Sequence, residues 1–491
     1  MVRARALTVA EPPAADRAHE AQSADGGGPG PAAGGAGTSL ALPAAACLGL
    51  AVVSLVLPAT LAFDPWAWLV WGREAVHLEL DTTGGPSWKP LPVLAGAVVS
   101  LAGDHATTVW LVAARAAGLL ALVLAFRLAA RVAGPVAGAV AAGLLLLTPD
   151  GGPRFLRLVA EGHADTVSAA LCLWAVERHL DGRRDHALLL ATGLALMRPE
   201  AWPFLGLYAG WLWLRDPGQR RLVAAALVSV PLLWFGGDWW GSGDPWHGAD
   251  AAQVASGTAA DRFGLAAERA AKVVVPPAWV GAAAALTSAR RRRDRVAPAL
   301  AGAALAWTAL VTAMSVVLGY AALSRFLLPA AGLVCVLAGI GAVRAIGAVP
   351  PGAARLVAVA VAVLVSVPAV LPRVLALDTL AAGIETRARL ERELDVAIDR
   401  AGGPDAVLAC GRVAIDQSDV PRMALAWKLG LPLGDVGRRP GDGPGVLFAR
   451  LGGPRDRALS DRRPDVVPVA RSAEWVVYAL ACPTVVTGRH V

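Results

Sequence analysis

Residues 41–74 read ALPAAACLGLAVVSLVLPATLAFDPWAWLVWGRE, and this stretch decides the class of the protein. Its first part, from Ala41 to Leu61, is an uncharged run that reaches the ~20 residues needed to cross a bilayer. Asp64 and three tryptophans follow at once in an amphipathic stretch. Because tryptophan prefers the membrane–water interface, we expect Asp64 to lie at the outer surface of a membrane.

The whole chain is apolar. It has 491 residues, 17% of them charged, a net charge of +7 and a mean hydropathy of +0.54, which is too apolar for a soluble protein. The arginines fall between apolar runs, a pattern of topology signals that argues against a nucleic-acid partner. The sequence predicts a polytopic α-helical membrane protein with about nine to eleven membrane helices. The expected spans are 41–62, 107–126, 133–148, 165–180, 187–214, 221–237, 266–288, 296–318, 323–343 and 355–374.

Three parts follow along the chain. Residues 1–39 are rich in Ala, Gly and Pro and are interpreted as a disordered cytoplasmic tail. Residues 40–375 form the membrane domain. Residues 376–491 are more polar and predict a small α/β domain. Its helices are expected at ETRARLERELDVAIDR and MALAWKLG, and its strands at AVLAC, GVLFAR, VVPVA and WVVYALAC.

Basic residues predict the orientation, because they concentrate in cytoplasmic loops. The arginines at 127, 131, 178, 183, 184, 215, 220, 221, 290–293, 295, 344 and 355 should share one side. If the chain alternates sides with each span, five segments lie on the outer side of the membrane. They are the first loop (63–106), 149–164, 238–265, the turn near Tyr320 and everything from 376 onward. Arginine-rich, lysine-poor, alanine-rich composition suggests a bacterial source, so we expect the bacterial cytoplasmic membrane, with the N-terminus inside.

The segment 187–214 has basic residues at both ends but is too short for two crossings. Pro199 and Pro203 at its centre, MRPEAWP, should break the helix inside the membrane. The break carries Arg198 and Glu200, and ionisable groups at membrane depth are functional candidates. A structural Arg–Glu pair that holds the break is the alternative. Residues 91–102 are apolar but too short to cross, and predict a half-helix.

Asp64 has two interpretations. Followed by Pro65, it fits the N-cap of an interfacial helix. A carboxylate at that position could also serve as a general base, and one residue could do both. Trp66 and Trp68, just beyond it, could line a substrate cavity or anchor the helix at the interface.

Several residues are candidates for binding a polar or phosphate-bearing substrate. Lys89 and Arg325 lie at outer membrane boundaries, where they could bind a phosphate or extend to the interface. Ionisable groups around Glu161 and His163 could form a salt-bridged loop or line a polar cavity. The remaining cavity candidates come from the first loop and from GGDWWGSGDPWHGAD: Asp81, Trp88, Asp244, Trp246 and His247.

The outer loop FDPWAW, the helix break LALMRPEAWPF and the boundary SRFLLP resemble the GT-C superfamily of integral-membrane glycosyltransferases. The resemblance covers about 41–375. It implies that Asp64 is the catalytic base and that Lys89, Arg198 and Arg325 bind the phosphate of a polyprenyl-phosphate sugar. Many members carry paired acids in the first loop, whereas this chain has a lone Asp before Pro. Whether a divalent metal is used therefore stays open, as does whether Asp81 or Glu161 supplies the base; no cofactor is firmly implied.

The sequence thus favours inverting transfer of a sugar to a cell-envelope glycan or glycolipid. A flippase for a lipid-linked sugar and a non-catalytic assembly protein are the alternatives. A flippase more often shows an internal repeat, and none is convincing here.

Two of the five cysteines lie in the C-terminal domain. Cys410 and Cys482 end AVLAC and WVVYALAC in a part of the chain that is predicted to be outside. An oxidising compartment permits a bridge, so we expect a disulfide between them, with two buried thiols as the alternative. No Cys/His cluster has metal-site spacing.

Overall fold

The computed structural model describes residues 39–148, 154–417, 419–439, 443–460 and 466–482. The described residues from Ala41 onward form one compact unit. Apart from Ser39, the predicted N-terminal tail lies outside the described residues. The helices of the apolar part are α1 (Ala41–Val53), α2 (Phe63–His77), α3 (Pro90–Ser100), α4 (Ala106–Ala133), α5 (Pro135–Leu146), α6 (Arg154–Ala160), α7 (Asp165–Leu180), α8 (Arg184–Ala195), α9 (Trp202–Arg215), α10 (Arg220–Ser242), α11 (His247–Ala252), α12 (Ala259–Ala271), α13 (Pro276–Arg292), α14 (Val296–Leu318), α15 (Leu328–Gly347) and α16 (Ala353–Leu375).

The protein is a multi-pass membrane protein. In the described part of the chain, five helices are long and apolar enough to cross a membrane, or six if the bent pair α12–α13 is one span. The expected total of nine to eleven also includes shorter apolar helices such as α1 and α5. The predicted half-helix at 91–102 is α3, and α14 has the predicted bounds.

Proline determines both breaks in the helical bundle. Helix α8 ends at Ala195 and α9 begins at Trp202, so the predicted break is present. Arg198 is extended there, with φ −140° and ψ 116°, as expected for a residue that precedes proline. The predicted span 266–288 is not one straight helix, because α12 and α13 meet at 79° with Pro276 opening the second helix.

Helix α15 lies at the centre of the bundle, with its residues from Leu328 to Gly341 all buried. Glycines allow its neighbours to approach closely. A Cβ on Gly341 would lie 1.8 Å from the carbonyl oxygen of Gly281 on α13, and one on Gly339 would lie 2.2 Å from that of Ala137 on α5. Small residues at such crossings let membrane helices pack backbone to backbone.

The C-terminal domain is a small α/β unit. Its elements are α17 (Leu377–Arg400), α18 (Gly403–Ala409), β1 (Arg412–Asp416), α19 (Asp419–Lys428), β2 (Val436–Gly437), β3 (Gly445–Arg450), α20 (Pro454–Ser460), β4 (Val466–Arg471) and β5 (Trp475–Leu480). The strand order is β2-β1-β3-β5-β4; β1 is parallel to β2 and β3, and β5 is antiparallel to its neighbours. The prediction of a strand at AVLAC is wrong, because that segment is α18 and the strand follows it.

The C-terminal domain contacts the first loop directly. Arg73 donates hydrogen bonds of 3.0 Å to the carbonyl oxygens of both Trp427 and Leu431. Thr60, just before α2, donates a 3.1 Å bond to Glu391 on α17. The segment that carries Asp64 is therefore attached to the domain on both sides.

Candidate active site

Asp64 lies in the first turn of α2, which begins at Phe63. Its predicted role as N-cap is wrong, because Ala62 occupies that position and no side chain caps the helix. The Asp64 carboxylate is used elsewhere: Oδ2 lies 3.0 Å from Nη2 of Arg325. The side chain is buried, so this pair is shielded from bulk water.

Neighbouring positive charges determine the protonation state of Asp64. Burial acts to raise the pKa of its carboxyl, but the positive charges of Arg325 and Lys89 outweigh that effect and hold the pKa below its ordinary value. A carboxylate with a lowered pKa is ionised at neutral pH. It can accept a proton only weakly for as long as the cations stay beside it.

Lys89 directly precedes α3 and is buried. Its Nζ lies 5.5 Å from the centre of the Trp68 ring and 3.4 Å from the carbonyl oxygen of Ser87. Burial lowers the pKa of Lys89 to about 8, although the Asp64 carboxylate opposes that shift. Within the described residues the ammonium group forms no salt bridge, and Asp64, which pairs with Arg325, acts on it through its charge.

The helix break brings Arg198 and Glu200 to the same region, but not as a pair with each other. Arg198 pairs with Asp165 at the start of α7, and its guanidinium lies 4.2 Å from the centre of the Phe326 ring. Glu200 accepts a 3.0 Å hydrogen bond from the hydroxyl of Tyr320. The predicted Arg–Glu pair is therefore wrong, and both residues hold the break to other elements.

His163 connects the centre to the C-terminal domain. Its Nδ1 lies 3.4 Å from both Arg325 Nη1 and Asp165 Oδ2, and its Nε2 lies 3.6 Å from Glu161. Glu161 in turn pairs with Arg157 at 2.9 Å and with Arg387 of α17. Burial lowers the pKa of His163, so its ring is mainly neutral at pH 7.

A cavity of about 620 Å³ opens beside these groups. Asp64, Lys89 and Arg325 all line it, and most of the remaining wall is aromatic or aliphatic. One side is formed by α10 and α11 and another by the C-terminal half of α14. The site thus combines two carboxylates, Asp64 and Asp238, and two cations with a wide apolar wall.

Of the predicted cavity residues, only Trp246 lines this cavity, where it packs edge-on against Phe235 with ring centres 4.8 Å apart. Trp66 and Trp88 are core residues instead, and the indole N–H of Trp88 donates to the carbonyl oxygen of Leu233 at 3.1 Å. Trp68 is buried beneath Lys89. The carboxylate of Asp81 accepts from its own turn at Thr83, and that of Asp244 accepts from the main chain of Trp246. Others that lie outside the lining are Arg198, Glu200, Glu161, His163 and His247.

The sequence reasoning missed Asp238, near the C-terminal end of α10. It is buried and lines the cavity, and Oδ2 accepts a 3.1 Å bond from the N–H of Gly248. A Cβ on Gly248 would lie 2.7 Å from that oxygen, so glycine makes room for the carboxylate. An acid that directly ends an apolar run was the signal that could have identified it.

Comparison with known proteins identifies the fold. No family model and no curated protein matches the chain. Among solved structures it is similar to ArnT from Cupriavidus metallidurans, both in the apo state and bound to undecaprenyl phosphate, with a TM-score of 0.52 and 16% identity. These alignments cover 90% of this chain and 98% and 97% of those chains. ArnT is a GT-C glycosyltransferase.

The chain has the GT-C fold. At 16% identity the likeness extends to the fold, and the site residues rest on the geometry described above. The Archaeoglobus fulgidus oligosaccharyltransferase aligns with a TM-score of 0.41 and 15% identity, over 79% of this chain and 63% of that chain. Within the described ranges, no group of three or more His, Cys, Asp or Glu side chains could hold a metal ion.

Proposed function

We propose that the protein is an inverting glycosyltransferase that moves a sugar from a polyprenyl-phosphate donor to a cell-envelope glycan or glycolipid. One observation carries the proposal: a buried carboxylate, Asp64, lines the same apolar cavity as two cations, Lys89 and Arg325. A base, a phosphate site and a wall suited to an isoprenoid chain are the parts that such a transfer needs. The fold agrees, since ArnT with this architecture has been crystallised with undecaprenyl phosphate.

The reaction begins when the donor phosphate enters between Lys89 and Arg325. Arg325 can bind two phosphate oxygens with its fork of donors, and it leaves Asp64 to do so. The acceptor hydroxyl then attacks the anomeric carbon, its oxygen forming the new glycosidic bond as Asp64 takes its proton. The bond between the anomeric carbon and the phosphate oxygen breaks, and that electron pair leaves on the lipid phosphate. Each well-placed donor to such a leaving group contributes about 3–4 kcal/mol.

In this scheme Arg198 does not bind the donor phosphate, which was its predicted role. It pairs with Asp165 and packs on Phe326, next to Arg325 in the chain. We propose that it positions the Arg325 segment and adds positive charge behind the cavity. Lys89 and Arg325 are the proposed phosphate ligands.

The proposed site faces the outer side of the membrane. The arginines at 127, 131 and 344 pair with Glu177, Asp181 and Asp294 on other segments of the bundle. If these basic residues are cytoplasmic, then Asp64, the loops around it and the C-terminal domain are extracytoplasmic. A disulfide between Cys410 and Cys482, whose Cα atoms are 5.5 Å apart, supports an oxidising environment for that domain.

The test is turnover by the purified protein. A polyprenyl-phosphate sugar labelled in the sugar is incubated with an extract of envelope glycolipids, and both labelled product and released polyprenyl phosphate are measured. We expect both from the wild type and neither from Asp64→Asn, with Asp244→Asn as a control that alters an exposed carboxylate. Movement of the intact labelled donor across reconstituted vesicles without cleavage would establish the flippase instead. Neither cleavage nor movement with any extract would favour an assembly role.

A further inference from the structure

A second cavity, of about 710 Å³, lies in the membrane part of the protein. It is formed by α7, α8, α9, α14 and α15, and its wall is almost entirely alanine, leucine, valine and aromatic side chains. Its size lies within the roughly 300–1,000 Å³ that is usual for small-molecule sites. Among the described residues none lines both this cavity and the candidate active site.

Helix α14 shows where the two cavities lie relative to each other. Its N-terminal half, from Arg295 to Trp307, lines the second cavity, whereas Leu310, Met314 and Leu318 line the active-site cavity. A rise of about 1.5 Å per residue puts Arg295 roughly 28 Å from Met314 along the helix. That distance is close to the ~30 Å thickness of a bilayer core. A lipid head group at Arg295 would therefore lie in the leaflet opposite the one that supplies the donor phosphate.

The far end of the second cavity is polar and cationic. Arg295 is exposed there and makes no ion pair or side-chain hydrogen bond within the described ranges. His179 and Tyr208, also in the lining, lie 3.1 Å apart, and Arg184 lies 5.1 Å from the ring of Trp211. Of the nearby acids, Asp294 pairs with Arg344 at 2.7 Å, Asp181 pairs with Arg178 at 2.7 Å, and Asp185 lies 3.8 Å from His186. The positive charge at this end is thus left for another partner.

We propose that this cavity binds an anionic glycerophospholipid from the leaflet at the arginine-rich end. One acyl chain fills the apolar cavity between α9 and α14, and the head-group phosphate meets Arg295 and Arg184. A polyprenyl donor fits the site poorly, because its phosphate is needed at Lys89 and Arg325 in the other cavity. The interfacial ring of Trp211 and the phenol of Tyr208 suit the boundary between chain and head group.

The site also touches the segment that carries Arg325. Trp307 lines the lipid cavity, and its indole N–H donates a 2.9 Å bond to the carbonyl oxygen of Phe326. A chain packed against Trp307 would restrain the turn Ser324–Leu327. We therefore expect the bound lipid to raise the thermal stability of the protein.

The experiment measures binding of defined lipids to delipidated protein in detergent, by native mass spectrometry and by the melting temperature. Dioleoyl phosphatidylglycerol should bind at least about tenfold more tightly than dioleoyl phosphatidylcholine. An arginine near an anionic head group is worth roughly a fivefold gain in affinity, so Arg184→Ala with Arg295→Ala should lose about 25-fold. Arg221→Ala, an exposed arginine on α10 that does not line the cavity, is the matched control.

A second variant tests the contribution of the apolar cavity independently of the surface charge. Ala303→Phe fills the apolar part and should weaken phosphatidylglycerol binding while leaving all arginines in place. Equal binding of the two phospholipids, or an equal loss in Arg221→Ala, would overturn the proposal. Displacement of phosphatidylglycerol by decaprenyl phosphate would assign the cavity to the donor instead. None of these readouts depends on glycosyl transfer.

Discussion

The guanidinium of Arg325 lies 3.0 Å from the carboxylate of Asp64, so the proposed base and a proposed phosphate ligand are partners of each other. The donor phosphate has to replace Asp64 as the partner of Arg325. Loss of that cation, and the arrival of a phosphate anion, both raise the pKa of the carboxyl. Asp64 thus becomes a better base only when the donor is in place.

Removal of the carboxylate tests this role. We expect Asp64→Asn to lower kcat by about 10² or more, the contribution of a general base, while the melting temperature stays near that of the wild type. Arg325 keeps a second acid nearby in this variant, because its Nε lies 3.8 Å from Asp165. Product formation and thermal unfolding are measured together. Activity above about a tenth of wild type would remove Asp64 from the role.

The second prediction is that kcat/KM depends on pH for the donor and not for the acceptor. In the proposed mechanism the charged form of Lys89 binds the phosphate, and burial lowers the pKa of Lys89 to about 8. The charge is present below that pH and is lost as pH rises through it. The value of kcat/KM for the donor should therefore fall above pH 8, while kcat/KM for the acceptor at saturating donor stays flat.

Two variants serve as controls for this profile. Lys89→Arg keeps its charge at every accessible pH, so the fall above pH 8 should disappear. Lys89→Ala should raise the donor KM at all pH values and leave the acceptor KM unchanged. A change confined to the acceptor KM would rule Lys89 out as a phosphate ligand.

The third prediction concerns the C-terminal domain. Arg387 pairs with Glu161, which contacts His163 beside Arg325. We expect Arg387→Ala to lower kcat several-fold with little change in donor KM, because it positions groups and does not touch the substrate. Arg387→Lys should restore part of the rate. Arg392→Ala, which removes an exposed ion pair with Glu385 on the same helix, should have no effect.

The fourth prediction tests the packing of α15. Gly341→Ala would place a methyl group 1.8 Å from the carbonyl oxygen of Gly281, so the helices must separate and the melting temperature should fall clearly. Gly302→Ala is the control, since a Cβ there meets nothing within 4 Å. It should be neutral or slightly stabilising, because alanine is favoured over glycine in helices by about 1 kcal/mol. Equal behaviour of the two variants would contradict the close crossing.

The fifth prediction concerns the disulfide, which links positions 72 residues apart. Mass mapping of a non-reduced digest should recover Cys410 and Cys482 as one linked pair. Such a bridge contributes about 2–4 kcal/mol, so a reducing agent should lower the stability of the wild type. The double variant Cys410→Ser with Cys482→Ser should not respond to the reductant. Two free thiols in protein isolated without reductant would argue against an outer position for the domain.

Local signals in the sequence predicted much of the architecture. A long apolar run specifies its own helix, which is why 296–318 agrees with α14, and the Pro199 region predicts its own break. The structure brings Asp64, Lys89 and Arg325 to one cavity from three separate segments.

What the sequence could not supply was the choice of partners. Arg198 pairs with Asp165, 33 positions earlier in the chain, and not with nearby Glu200. Trp66 and Trp88 are aromatic side chains of the type that lines cavities or lies at a membrane interface. In the structure both are buried where α2 packs on its neighbours. AVLAC is apolar enough for a strand, yet it forms α18, because short apolar runs do not distinguish helix from strand.

Arg73 contacts the C-terminal domain through the main chain of that domain and through one aromatic ring, because the guanidinium also lies 5.1 Å from the centre of the Trp427 ring. Both hydrogen bonds of its guanidinium end on carbonyl oxygens, those of Trp427 and Leu431. A substitution at Leu431 that keeps the backbone path leaves both acceptors where they are. At Leu431, therefore, the side chain can change while the attachment of the domain to the segment that carries Asp64 persists.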